Sequence, residues 1–239
     1  MRLNRFIGNF DLKQKTLQIF DRDFLHQVKN VLRLSVGEEI VLVDGQGREA
    51  IVKITEYGKD FIAAEVCEVK KNKNEPERRI ILYCSILKRE NFELAVQKSV
   101  EAGVREIIPI ICQRTVKTGL KYDRLQKIIK EAAEQSGRGI VPILGKTTNF
   151  KKAIADASEN NLNILFDSSG VKLLMSDINS LTQQENARAG IFIGPEGGWS
   201  EEEINAAKEA GFKIVSFGKL ILRAETAAIV GTYLVCNWI

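Results

Sequence analysis

The feature that most constrains the fold is an alternation of short apolar runs with amphipathic stretches beyond residue 79. The apolar runs cover residues 80–87, 107–112, 163–166 and 191–193. A helical stripe after the first run stops at Gly103, and a second stripe, which starts at Leu125, stops at Gly137. Buried strands connected by helices form parallel sheets, so we predict an α/β domain with helices on both faces of its sheet.

The stretch before this alternation has a β pattern. Apolar runs at 40–43, 50–54 and 61–69 are separated by the turn 44–47 and by Gly58. Strands at this spacing predict a small β-barrel. Residues 70–77 are polar and charged and contain Pro76, which predicts a linker. We therefore predict two domains, residues 1–72 and residues 73–239.

The single histidine, His26, narrows the chemistry open to the chain. Serine, cysteine and zinc enzymes commonly use histidine as base or ligand, so a mechanism must work here without a histidine pair. The four cysteines lie far apart and form no C-x-x-C pair, which predicts buried, reduced thiols rather than a metal site or a disulfide framework. They are Cys67, Cys84, Cys112 and Cys236.

Hydropathy and charge give coarser expectations. The most apolar stretch, residues 221–239, is interrupted by Arg223 and Glu225, and the N-terminus lacks the apolar core of a signal peptide. We expect a soluble, cytoplasmic protein. Residues 75–152 carry 16 basic and 9 acidic side chains. This excess fits a phosphate-facing surface, and it fits solvated helix faces as well.

A glycine-rich run, Gly194-Pro195-Glu196-Gly197-Gly198, follows a predicted strand. Ser200 and Glu203 have the spacing of a capping box, which predicts a helix start just after the run. Parallel sheets bind ligands beyond the carboxyl ends of their strands, and glycines present backbone amides at little steric cost. A tight strand-to-helix connection explains the same residues. The run matches neither the dinucleotide fingerprint nor a P-loop.

A second segment, residues 216–228, places Arg223 and Glu225 in apolar surroundings, with Thr226 as a predicted helix N-cap. Opposite charges embedded in apolar sequence need a partner or a purpose. A salt bridge that staples the last helix is the structural alternative to a functional role.

Taken in order, the motifs resemble the bacterial 16S rRNA (uracil-1498) N3-methyltransferase family. They are Lys88-Arg89 with residues 97–104, then 134–138 with Val141-Pro142, then 193–198 and 221–227. Arg2, Arg5 and residues 26–38 resemble the family's N-terminal barrel. The resemblance implies a SPOUT-type methyltransferase domain with a C-terminal trefoil knot, preceded by a PUA-like RNA-binding β-barrel, in a homodimer without metal.

The resemblance also implies the reaction, which is transfer of a methyl group from S-adenosyl-L-methionine to N3 of uridine 1498 in 16S rRNA of the small ribosomal subunit. Residues 166–170 match the family loosely, so no ligand role is assigned to Asp167 or Ser168. The positions that match the cofactor loops are Gly194, Pro195, Glu196, Gly197, Gly198, Phe217, Gly218, Leu222, Thr226 and Ala227.

For catalysis, we expect Arg223 to orient the uracil or to stabilise its developing negative charge. Glu225 either holds Arg223 or lies near the proton path, and Glu196 is a rival carboxylate. Basic positions in or beside the motifs are predicted to contact RNA phosphates. They are Arg2, Arg5, Lys29, Arg33, Lys88, Arg89, Arg114 and Arg138.

Two other interpretations stay open. A SPOUT methyltransferase acting on another RNA site, such as a ribose 2′-hydroxyl, usually carries an N-x-G-x-x-x-R signature, and the sequence contains no N-x-G. A non-catalytic RNA-binding protein has no need of the glycine-rich run or of residues 222–226. Dimerisation is implied by resemblance, and an apolar last helix with Ile229, Tyr233, Leu234 and Trp238 suits an interface as well as a core.

Overall fold

A computed structural model describes residues 3–172, 176, 178 and 187–237. Arg2 of the predicted RNA set and Trp238 of the last helix lie outside the described residues. The chain divides into two compact units. The first consists of Met1–Glu75 and Ala133–Val141, and the second of Pro76–Ala132 and Pro142–Ile239. The first unit is therefore built from two separate stretches of sequence.

The first unit contains one mixed β-sheet. Its elements are β1 (Arg5–Ile7), β2 (Thr16–Ile19), α1 (Arg22–His26) with a π-helical turn (Gln27–Val31), β3 (Glu39–Val43), β4 (Arg48–Tyr57) and β5 (Ile62–Lys71). The strand order is β1-β3-β4-β5-β2, and of these pairs only β1 with β3 is parallel. In β4, Ala50, Val52 and Ile54 are fully buried at alternate positions, which is the period of a strand with one face in a core.

The second unit contains a parallel sheet flanked by helices. Its elements are β6 (Arg79–Ser85), α2 (Arg89–Ala102), β7 (Glu106–Ile111), α3 (Tyr122–Ser136), β8 (Ile143–Leu144), β9 (Thr148–Asn149), α4 (Phe150–Asp156), β10 (Leu162–Lys172), β11 (Arg188–Ile193), α5 (Glu201–Glu209), β12 (Lys213–Ser216) and α6 (Ala224–Asn237). The last turn of α3 belongs to the first unit. Among the described residues, seven strands follow the order β12-β10-β11-β6-β7-β8, with β9 also on β7.

Both faces of this sheet are covered, as a parallel sheet requires. Every residue of β6 beyond Arg79 is buried. On one face, Tyr83 stacks on Phe192 with ring centroids 4.2 Å apart, in a core that includes residues of α4 and α5. Helix α6 contacts β6, β11 and α2. The predicted fold class, a parallel α/β sheet preceded by a small β unit, is confirmed.

Two predicted helix ends are confirmed by backbone geometry. Gly103 ends α2 with φ 108°, and Gly137 follows α3 with φ 80°. Both angles lie in the left-handed region, which favours glycine after a helix. The structure corrects the start of α6, which begins at Ala224 rather than after Thr226, because the Ala227 amide already donates to the Arg223 carbonyl at 2.8 Å.

The predicted linker is an ordered part of the first unit. Asn72 is buried, and its amide donates to Glu49 and to the Gly137 carbonyl. The Glu75 carboxylate accepts from the Arg138 guanidinium at 2.8 Å and from the Gly139 amide at 2.9 Å. Residues 72–75 thus hold the second stretch of the first unit, and the chain passes to the second unit between Glu75 and Pro76, within the segment predicted as a linker.

The cysteine prediction is confirmed for three residues and wrong for one. Cys84, Cys112 and Cys236 are free and buried, whereas Cys67 is exposed. Burial raises the pKa of Cys112 to about 12 and that of Cys84 further, so both stay protonated thiols at neutral pH. None of the helices in the described part of the chain combines the length and apolar character that a membrane crossing requires.

Candidate functional site

A pocket of about 910 Å³ is lined by the middle of β10 and by the segments that follow β6, β11 and β12 at the carboxyl ends of these strands. This is the edge at which parallel sheets bind ligands, and the volume suits a drug-sized molecule. Three chain segments supply most of the lining, namely 166–168, 193–199 and 216–227, and the start of α2 adds Lys88 and Asn91.

The glycine-rich run forms one wall of the pocket. At two of its positions, close packing or the backbone conformation explains why the residue is glycine. A Cβ on Gly194 would lie 3.0 Å from the Trp199 ring, so the indole packs directly on the backbone there. Gly198 has φ 71°, which other residues adopt at a cost. The indole NH of Trp199 donates to the Phe166 carbonyl at 3.0 Å, which connects the run to β10.

The capping box predicted beyond the run is confirmed. The Ser200 hydroxyl accepts from the Glu203 amide at 3.2 Å, and the Glu203 carboxylate accepts from the Ser200 amide at 3.0 Å. The same carboxylate accepts from the Gln113 amide at 2.8 Å. The start of α5, and with it the end of the run, is therefore fixed by buried polar contacts.

An aromatic pair forms a second wall. Phe166 and Phe217 both line the pocket, with their rings parallel within 5° and centroids 4.2 Å apart. A Cβ at Gly231 of α6 would lie 3.1 Å from Phe166 and 3.4 Å from Phe217, so the small residue lets the helix close on the pair. The pair therefore gives the pocket an apolar, aromatic side.

Arg223 and Glu225 line the pocket with different exposure. Arg223 is exposed, and within the described residues it takes part in no salt bridge. Glu225 is only 7% exposed, and its Oε2 atom has no hydrogen-bond partner there. The salt bridge considered as a structural alternative is therefore not formed. A buried, unpartnered carboxylate oxygen costs free energy unless a ligand satisfies it.

Glu196, the rival carboxylate, is already engaged. Its Oε1 atom accepts from the Lys88 amide at 3.1 Å, next to the N-terminus of α2. A carboxylate at that position complements the positive end of the helix dipole. Glu196 lines the pocket but is exposed, so its environment differs from that of Glu225.

Eight of the ten predicted cofactor positions line the pocket, and Gly197 and Thr226 do not. The structure adds lining residues outside the predicted cofactor set, and these include Asn91, Phe166, Asp167, Ser168, Ile193, Trp199, Ser216, Lys219, Leu220 and Ile221. Asp167 and Ser168 directly follow a buried part of β10, and that placement is the signal that could have included them.

Two of the residues predicted to contact RNA lie in ion pairs with little exposure. The Arg138 side chain is 4% exposed and pairs with Glu75, and the Arg5 side chain is 13% exposed and pairs with Glu49 at 2.6 Å. Guanidinium groups placed in this way brace the first unit. The other members within the described residues are exposed, and they are Lys29, Arg33, Lys88, Arg89 and Arg114.

The structure combines a parallel α/β sheet, glycine-rich loops at one edge of that sheet and a small β unit. A known class of protein shares this combination. The chain belongs to the RNA methyltransferase family. The model described as "RNA methyltransferase domain" matches residues 73–235, and the one described as "RNA methyltransferase PUA domain" matches residues 26–67.

Particular relatives carry one name, "Ribosomal RNA small subunit methyltransferase E". The relative from Rickettsia conorii is 30% identical over 231 residues, covering 96% of this chain and 93% of its own. The relative from Mesomycoplasma hyopneumoniae is 36% identical over 172 residues, covering 70% and 73%. A crystal structure of the enzyme from Neisseria gonorrhoeae bound to S-adenosyl methionine is similar with TM-score 0.85 and 34% identity, covering 97% of this chain and 95% of that one.

Proposed function

We propose that this protein transfers a methyl group from S-adenosylmethionine to N3 of uridine 1498 in 16S rRNA of the small ribosomal subunit. The observation that carries the proposal is the pocket that brings to one edge of the sheet the glycine-rich run, the aromatic pair, Arg223 and Glu225, whose Oε2 has no hydrogen-bond partner among the described residues. The named relatives act on small-subunit ribosomal RNA, and the similar crystal structure contains the same cofactor.

The pocket residues fit S-adenosylmethionine in size and in chemistry. When bound, the cofactor supplies an electrophilic methyl group on a sulfonium. We assign the adenine to the apolar part of the pocket, where backbone amides and carbonyls of the loops read its edge. The residues in this role are those of the predicted set that line the pocket: Gly194, Pro195, Glu196, Gly198, Phe217, Gly218, Leu222 and Ala227.

The chemistry at uracil requires an unpaired base, loss of the weakly acidic N3 proton and in-line approach to the methyl group. In this proposal, the exposed Arg223 donates hydrogen bonds to a uracil carbonyl oxygen and stabilises the negative charge that develops there. Glu225 accepts the N3 proton through its unpartnered oxygen. Glu196 has a positioning role, because its carboxylate is bonded to the start of α2.

RNA binding is assigned to exposed cations in both units. Lys29 and Arg33 belong to the first unit, and Lys88 and Arg89 belong to the second. Arg33 is held at φ 52°, a conformation that residues other than glycine adopt rarely and that clusters at functional sites. Phosphate contacts of this kind make binding salt-dependent, whereas the target base is recognised after it leaves the stack.

The assembly and the chain topology are part of the same proposal. The first unit, residues 1–75 with the return segment 133–141, serves as the PUA-like RNA-binding unit, and the second unit forms a SPOUT methyltransferase unit with a C-terminal knot. The active form is a cytoplasmic homodimer. Tyr233, which is 59% exposed on α6, supports an interface on that helix. A stable monomer in light scattering at assay concentration would contradict the dimer.

The test is to incubate the protein with labelled S-adenosylmethionine and small subunits that lack the modification, and to map the label by mass spectrometry. Label on N3 of uridine 1498 supports the proposal in full. Label on another uridine or on a ribose 2′-hydroxyl replaces the specificity but keeps the enzyme class. Cofactor binding without label on assembled subunits or on free 16S rRNA contradicts the proposed substrate.

A further inference from the structure

The turn that follows β7 contacts the glycine-rich run from outside the pocket. In this turn the Thr115 amide donates to the Cys112 carbonyl at 3.0 Å, and the Cys112 amide donates to the Thr115 hydroxyl at 2.8 Å. The Thr115 hydroxyl is also bonded to the buried Ser85 hydroxyl at 2.9 Å. The turn is therefore fixed to the end of β6, and its residues project from a rigid base.

Arg114 lies at the tip of this turn, and it reaches the run by two kinds of contact. Its Nη1 atom donates to the Gly197 carbonyl at 2.8 Å. Its aliphatic stem lies against the same residue, since a Cβ on Gly197 would be 3.3 Å from the Arg114 Cβ and 3.5 Å from its Cδ. Gly197 itself does not line the pocket, so these contacts act on the back of the loop.

Contacts of the residues next to Arg114 and Gly197 also hold the glycine-rich run in place. The Gln113 amide donates to Glu203 of the capping box at 2.8 Å. Glu202 has a lowered pKa, caused first by a hydrogen bond from its own backbone amide and then by the Ser200 hydroxyl, with a contribution from the positive charge of Arg114. Residues 113 and 114 together thus hold both the middle and the end of the loop that forms the pocket wall.

We infer that Arg114 is a positioning residue that holds the glycine-rich run in its cofactor-binding conformation. This inference rests on the proposed function, because the run is the wall against which S-adenosylmethionine binds. It also differs from the phosphate contact predicted for Arg114 from its motif. A phosphate contact uses only the charge of the side chain, whereas the structural contact uses the reach and the fork geometry of the guanidinium.

The two roles separate in an Arg114→Lys variant. Lysine keeps the positive charge for a phosphate, but it lacks the planar group that reaches the Gly197 carbonyl. We expect Arg114→Lys and Arg114→Ala to raise the Kd for S-adenosylmethionine about three- to tenfold in the absence of RNA. The matched control is Lys117→Ala, an exposed cation three residues further along the same loop, which leaves that Kd unchanged.

The measurement is isothermal titration of each purified variant with S-adenosylmethionine, after thermal melts have shown that the variant is folded. Steady-state kinetics add a second readout, in which KM for the cofactor rises while KM for the ribosomal substrate and kcat in the Arg114→Lys variant stay close to wild type. A general loss of structure does not produce that split. If Arg114→Ala does not fold, Arg114→Lys decides.

An unchanged cofactor Kd in Arg114→Lys overturns the inference, and weaker RNA binding in Arg114→Ala alone would then assign a phosphate contact. Failure of the proposed function has a different signature, since the wild-type protein itself would then bind no S-adenosylmethionine or methylate no ribosomal RNA.

Discussion

Charged side chains have opposite environments in the first unit and in the pocket of the second unit. In the first unit, Arg5 and Arg138 each have a carboxylate partner within 2.8 Å and little exposure. In the pocket, Arg223 and Glu225 are two residues apart, and within the described residues they form no salt bridge with each other or with other groups.

This difference distinguishes charged residues that stabilise the fold from charged residues that can act on a ligand. The charge of an arginine in a buried ion pair serves the folded structure, because breaking the pair leaves an uncompensated charge. A carboxylate that is buried without a partner keeps its acceptor capacity for a ligand. Membership in a sequence motif does not distinguish the two cases, since Arg138 and Arg223 both lie in motifs that resemble the family.

The largest effect is expected from Glu225→Gln, which removes the proton acceptor and keeps the shape of the side chain. Methyl transfer should fall about a thousandfold in single-turnover assays, with cofactor affinity near wild type. The matched control is Glu196→Gln, whose carboxylate is already bonded to the start of α2. A larger loss in the control than in Glu225→Gln would reassign the proton acceptor.

Arg223→Ala tests the other unpaired group. We expect kcat to fall about 10²- to 10³-fold, because the developing charge on the uracil loses its donor. Lys219→Ala removes another exposed cation that lines the pocket and serves as the comparison. Normal methyl transfer together with normal S-adenosylmethionine binding in Arg223→Ala would remove Arg223 from the catalytic assignment.

Arg138→Ala tests how much a buried ion pair stabilises the first unit. Loss of the guanidinium leaves Glu75 without its ion partner, and since Glu75 is partly exposed we expect the free energy of unfolding to fall by about 2 kcal/mol. Lys127→Ala breaks a solvent-exposed pair and should cost less than about 0.5 kcal/mol. Urea denaturation measures both free energies of unfolding. Equal losses in the two variants would show that the buried pair stabilises the fold no more than the exposed pair does.

The smallest effect concerns acid stability. Burial opposes ionisation of Glu49, but hydrogen bonds from Arg5 and Asn72 outweigh it, so the pKa of this carboxyl is lowered below 4.5. Ionised Glu49 therefore adds stability that is fully present above pH 4.5 and is lost as the pH falls through the lowered value. Glu49→Gln should reduce stability by about 1 kcal/mol at neutral pH. The difference from wild type should shrink in acid, and a constant difference would contradict the assignment.

Elements with a local cause could be predicted from the sequence. Strands β3 to β7 follow apolar runs, the ends of α2 and α3 follow from Gly103 and Gly137, and the capping box follows from Ser200 and Glu203. Eight lining residues belong to the set that the resemblance implies, and no periodicity brings residues 194–198 and 217–227 together. Their meeting depends on the strand order of the sheet, which local sequence does not specify.

Long-range polar contacts could not be predicted. Glu75 and Arg138 are 63 residues apart, and nothing near either residue indicates the other. Residues 70–77 have the composition of a linker, yet a Cβ on Gly139 would lie 2.5 Å from the Asn72 Cβ, which shows how closely the two stretches approach. Composition reports average solvation, whereas this packing depends on one specific set of partners.

The discontinuity of the first unit sets an order of events during synthesis. A nascent chain that ends at Glu75 contains all the strands of the small sheet, but it lacks the backbone groups at 137–140 that Asn72, Asn74 and Glu75 bind. Those groups appear only after β6, α2, β7 and the whole of α3 have been made. These polar contacts of the N-terminal unit are therefore completed only after a large part of the second unit has been synthesised.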